Sequence, residues 1–183
     1  MTSAHETDVL TQGITSLVET KVLCPPARLA AVENAAEKLT SNGDVLVQFF
    51  RFWFSLHGGS ERFLASHFRV LSGDEALAQF DQFQRWPIGQ VTELDLHYRR
   101  VFPLMKAEFR DTDIGVVWDE VSTFRIDLPI VLISGDSRLI EVLDCNLAGL
   151  VRYVDDRAGW ERAWAAIPHM LNPRLSSEQW SEN

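Results

Sequence analysis

The densest apolar stretch of the chain is VLVQFFRFWFSLHGG, residues 45–59. Val45, Phe49, Phe52 and Leu56 recur at helical spacing, and Leu46, Phe50, Trp53 and Phe54 widen the apolar surface until Gln48, Arg51 and Ser55 form a polar stripe. A helix apolar over most of its circumference belongs in a core. Asp44 is placed to cap its start, and Gly58 and Gly59 can take the left-handed conformation that ends a helix. The segment is too short, and too interrupted by Arg51, to span a bilayer.

Two helices are predicted ahead of it. Val9, Leu10, Ile14, Leu17 and Val18 share one face over 6–22, stopping before Pro25 and Pro26. Pro26 can open the second helix, PARLAAVENAAEKLT, which puts Leu29, Val32, Ala36 and Leu39 on one side and ends at Ser41-Asn42-Gly43. After the aromatic helix, 67–71 reads as a short strand, with His67 a partly buried strand residue, and Ser72-Gly73-Asp74-Glu75 as a capping box opening a helix over 73–84.

From there the period changes. Leu94, Leu96 and Tyr98 alternate with Glu93, Asp95 and His97; helical spacing also fits this run, but Pro103 weakens it, and a strand is predicted. Residues 114–118, 122–127, 128–134, 139–143 and 150–154 are rich in Val, Ile, Leu and aromatic residues and are predicted as strands, separated by turn residues at Gly135-Asp136-Ser137 and 146–149. Trp160, Ala163, Trp164 and Ile167 then share one face of a closing helix that starts near Asp155-Asp156 and stops at Pro168, and the polar tail SSEQWSEN is expected to fray. Helices, then strands joined by links too short for parallel crossovers, then a helix: the order predicts an α+β fold with N-terminal helices packed on a mainly antiparallel sheet.

Composition bounds the function. A chain of 183 residues with 46% hydrophobic and 23% charged content suits one globular domain, divided here into a first helix (1–25), a core (26–167) and a tail (168–183). Its net charge of −9 argues against nucleic acid and anionic membrane as partners, because phosphates are held by clustered Lys and Arg, and points to a basic partner. The acids in MTSAHETDVL are unlike a secretory signal, which predicts a cytoplasmic protein. Cys24 and Cys145 are far apart and suggest neither a disulfide framework nor a zinc site, and no cofactor is expected.

Several short motifs in the second half run together: Leu128-Pro129, Gly135-Asp136, Leu143-Asp144, Gly149, Tyr153, Asp155-Asp156 and the helix carrying Trp160 and Trp164. In this order they resemble the C-terminal half of the SUKH superfamily, which groups yeast cell-wall assembly regulators with bacterial immunity proteins. Upstream, PARLAAVENAA with Glu33 looks like that family's first helix, and the aromatic helix ending in His57-Gly58-Gly59 looks like its core helix, which usually ends in Asn-Gly-Gly. The resemblance covers 26–167 but departs where SNGDV stands in place of a Leu-Pro and where 91–127 exceeds the family minimum. It implies a cytoplasmic immunity protein that neutralises a toxin domain, often a nuclease, with no catalytic residues to carry over.

Three residue sets offer catalytic or metal chemistry instead. His57-Gly58-Gly59-Ser60 has the residues of an oxyanion-hole turn, but the chain has no GxSxG elbow, so a helix end is the simpler assignment. Cys145 with His97 or His169 could pair as nucleophile and base, although an isolated Cys is more often a small buried hydrophobe. Asp111, Asp113, Asp119 and Glu120 offer hard oxygen ligands, but their spacing fits no EF-hand. A small hydrolase on these groups, or a regulatory adaptor, stands as the alternative function.

Charge is more informative. Glu108, Asp111, Asp113, Asp119, Glu120 and Asp127 face only Arg110 and Arg125, so about 20 residues carry −4 of the chain's net charge. Read as a solvated rim this segment does nothing; read as a docking surface it, with Asp136, would steer onto the basic groove of a toxin nuclease. Loops longer than a fold requires are where partner specificity tends to sit.

Overall fold

In the computed structural model the described residues are 4–83, 100–108, 112–118, 130–134, 139–143 and 147–159. Helices α1 (Ala4–Glu19), α2 (Leu29–Glu37) and α3 (Asp44–Leu56) lead into strand β1 (Phe68–Val70) and helix α4 (Gly73–Phe83). Strands β2 (Arg100–Ala107), β3 (Thr112–Trp118), β4 (Ile130–Ser134) and β5 (Leu139–Leu143) follow, and then helix α5 (Leu147–Tyr153). The five strands form one sheet in the order β1-β2-β3-β4-β5, every pair antiparallel. The fold is α+β, as the order of periods predicts.

The aromatic segment is the organising element. Within α3, Val45, Leu46, Val47, Phe49, Phe50, Trp53 and Phe54 are buried, whereas Phe52 is only half-buried. Phe102 of β2 joins the helices to the sheet: its ring lies 5.9 Å from Phe50, 6.4 Å from Phe54 and 5.2 Å from Phe80 of α4. Phe68, Val70, Met105, Ile114, Val116 and Ile130 complete this apolar layer. Val101 and Val131 are also buried but stand outside that cluster; the register places them with Asp113 and Gly115 on the opposite face. Pro103 is tolerated inside β2 next to a bulge, where the register shifts between Pro103 and Met105. Gly115 sits opposite, where an added Cβ would lie 2.6 Å from the Phe102 carbonyl oxygen.

Local chemistry moves several element ends from their predicted places. Gly43, at φ +96°, is the N-cap of α3, and Asp44 is its first residue, still setting a carboxylate at the positive end of the helix dipole. The helix stops because His57 turns extended, not because a glycine follows in the left-handed region. Helix α2 begins at Leu29 rather than Pro26, since Cys24 is held in an extended exchange with 58–59: Cys24 N–H donates to Gly59 O and Gly58 N–H to Cys24 O, both at 2.8 Å. The capping box forms as predicted, with Ser72 N–H donating to Glu75 Oε2 at 2.9 Å and Glu75 N–H to Ser72 Oγ at 3.4 Å. Burial alone would raise the Glu75 carboxyl, but hydrogen bonds from Ser72 and Arg69 bring it below the ordinary carboxylate value.

One predicted strand is a helix. Residues 150–154 belong to the end of α5 and the turn after it, and the turn expected over 146–149 is in part its first residues. Leu147, Leu150, Val151 and Val154, spaced i, i+3, i+4 and i+7, are all buried, and α5 packs on α1, with Val151 against Gly13. The five residues 150–154, with two valines, a leucine and a tyrosine, read as strand in isolation; docking on α1 decides otherwise. The strands predicted over 93–98 and 122–127, the tail, and the closing helix beyond Gly159 lie outside the described residues. That helix starts as predicted, with Gly159 N–H donating to the side chain of Asp156 at 3.0 Å.

Candidate functional site

His57 to Ser60 form a crossing point, and their hydrogen bonds exclude the oxyanion-hole reading. Gly58 N–H is bound to Cys24 O, and Gly59 N–H donates to His57 Nδ1 at 3.0 Å, so neither is free to receive a developing negative charge. Gly59 has φ +89°, and a Cβ there would lie 2.6 Å from Ser72 N, while one on Gly58 would run into the Pro25 carbonyl. Ser60 closes the crossing: its hydroxyl donates to Arg62 O and accepts from Val70 N–H. His57 itself is fully buried, and desolvation lowers its pKa from 6.5 to about 3, so the ring is neutral and carries its proton on Nε2.

The loop leaving this crossing leads to a polar corner. His67 holds φ +59°, a left-handed conformation uncommon outside glycine. It is fixed there from two sides: His67 N–H donates to Leu64 O, and Glu108 N–H, at the end of β2, donates to His67 O, both at 2.8 Å. The side chains meet as well, His67 Nδ1 lying 2.9 Å from Glu108 Oε2. On the other flank Ser66 N–H donates to Val154 O and Ala65 N–H to Asp155 Oδ1. The 60–67 loop, the end of β2 and the turn after α5 are thereby tied into one surface, with Glu61, Arg62, Glu108, Asp156 and Arg157 exposed on it. Glu108 was predicted from charge alone. The loop that ties the end of β2 at His67 and the turn after α5 at Ala65 and Ser66 has no such signal in the sequence.

The acidic set divides. Glu108 is exposed, as a docking residue must be. Asp113 corrects the sequence reading: in β3, opposite Lys106, it is 2% exposed and presents no carboxylate to a partner. Alternation explains it, because Ile114 and Val116 take the helix-covered face and Asp113 is left on the other, which is also buried at this position. Asp111, Asp119, Glu120, Asp127 and Asp136 lie outside the described residues, as do Cys145, His97 and His169. Among the described residues no group of three His, Cys, Asp or Glu side chains is arranged to hold a metal ion, and no helix is long and apolar enough to cross a membrane.

No protein-family model and no curated protein matches the chain.

Proposed function

We propose that this chain is a cytoplasmic immunity protein that binds a cognate toxin domain, a basic nuclease, and neutralises it by covering its active site. The observation that carries the reading is the exposed Glu108 on a firmly tied corner, at the entry to a segment in which acids outnumber arginines. With Asp113 taken out of the surface, five acids face two arginines over 108–127. A surface of one sign attached to a rigid scaffold raises the rate of encounter with a basic groove, and opposed charges that become desolvated in the complex slow its dissociation. Inhibition of this kind is steric and electrostatic, and it calls for no cofactor.

The SUKH resemblance supports the same class through its helix-then-sheet order and its motifs over 128–144; the helical form of Leu147–Tyr153 departs from the strand that pattern has there. A hydrolase built on the Asp cluster is disfavoured by the burial of Asp113. Co-expression with a candidate toxin domain, sought first in the neighbouring open reading frame, tests the proposal. Growth should be restored and the two chains should co-purify; continued toxicity at equal expression, with no complex, would overturn it.

A further inference from the structure

Away from that corner, a groove of about 410 Å³ lies between the end of α2 and the length of α4. One wall is a regular stripe of α4: Asp74, Leu77, Ala78 and Asp81, spaced i, i+3, i+4 and i+7, all face it. The two carboxylates are therefore about 10 Å apart along the helix axis, with apolar side chains between them. Leu39, itself buried, lines the groove, and Lys38 at the end of α2 adds a single cation. Among the described residues Lys38, Asp74 and Asp81 enter no ion pair, although ion pairs form elsewhere on the same surface between Arg51 and Glu33 and between Arg69 and Glu75.

Acid, apolar, apolar, acid along one groove is the complement of a chain with cationic ends and a methylene middle. We propose that this groove binds a linear aliphatic diamine, its terminal ammonium groups on Asp74 and Asp81 and its methylenes on Leu77 and Ala78. The volume falls within the range of small-molecule sites. Charge-assisted hydrogen bonds to two separated carboxylates reward a ligand of matching length, and burial of the methylenes adds to them. Lys38 opposes any cation and sets a ceiling on affinity. A chain that keeps its charges at its ends meets that opposition less than a compact multivalent ion does.

Titration calorimetry with 1,7-diaminoheptane at low salt tests the assignment, with heptylamine as a monoamine carrying one charge and the same stem. Wild type should bind one diamine and prefer it over heptylamine by at least ~10-fold, because only the diamine reaches both carboxylates. Asp74→Asn and Asp81→Asn should each weaken the diamine by at least ~5-fold, and Lys38→Gln should strengthen it, as expected for charged partners gained or lost. Asp8→Asn, on the exposed face of α1, serves as the control and should change nothing. An equal loss from Asp8→Asn would show diffuse attraction to an acidic protein and overturn the site. So would heptylamine binding as well as the diamine, or no binding at all. The four substituted positions are exposed, so unchanged thermal melts will certify the variants.

Discussion

Replacing His57 with Gln should flatten the acid side of the stability curve. The folded protein keeps this imidazole neutral because burial lowers its pKa to about 3, whereas in the unfolded chain it titrates near 6.5. Between those values the unfolded state binds the extra proton, so the contribution is fully present above pH 6.5 and is lost as the pH falls toward 3. At pH 5 the loss is about 2 kcal/mol, and it approaches roughly 5 kcal/mol at the lower end of the window, at about 1.4 kcal/mol per unit. That is a large share of the stability of an ordinary domain. Gln can still accept the hydrogen bond from Gly59 N–H but cannot take up a proton. Urea melts of both proteins at pH 8 and pH 5 isolate the term, because the four other histidines and all carboxylates are common to the two chains. Wild type should lose about 2 kcal/mol more than His57→Gln between the two pH values. Equal losses, within about 0.5 kcal/mol, would mean that His57 is hydrated and that α3 does not end inside the core.

The other expectations follow from burial. Phe50→Ala, at a fully buried ring, should cost roughly 3–5 kcal/mol in urea melts, and Phe52→Ala clearly less because that ring is half-buried. Gly59→Ala should cost more than about 2 kcal/mol, combining left-handed backbone strain with contact on Ser72 N and Leu71. Asp113→Lys should lower the melting temperature sharply, since an unmatched charge at a buried position costs about 3–5 kcal/mol, whereas Glu108→Lys gives up a partly exposed pair with His67 worth about 1 kcal/mol or less.

The architecture was legible where one period dominates. The aromatic helix, the capping box at Ser72 and Glu75, and β3 to β5 announce themselves through repeated spacing or a paired motif. The ends of elements were less legible because the partners that set them come from elsewhere: Cys24 exchanges hydrogen bonds with Gly58 and Gly59, and Gly43 takes the cap that Asp44 was expected to supply. Residues 150–154 defeated periodicity for a different reason. Two valines, a leucine and a tyrosine in a short run satisfy both periods, and the choice is made by α1. The acidic segment illustrates the limit for the site. Charge counting treats Glu108 and Asp113 alike, but the pleat and the packed sheet put one outside and the other inside. The left-handed His67 had no signal of its own in the sequence, since its conformation is imposed by contacts from Leu64 and Glu108.

The most direct test of the proposed function is the affinity of the purified chain for the toxin domain it protects against in that co-expression, measured by calorimetry against the triple variant Glu108→Lys, Asp119→Lys, Glu120→Lys. An acidic docking surface predicts at least ~3 kcal/mol weaker binding, a range typical of charge reversal within an interface, with the melting temperature nearly unchanged and a wild-type association rate that falls as salt is raised. Binding within twofold of wild type would contradict the account and reduce the segment to a solvated rim.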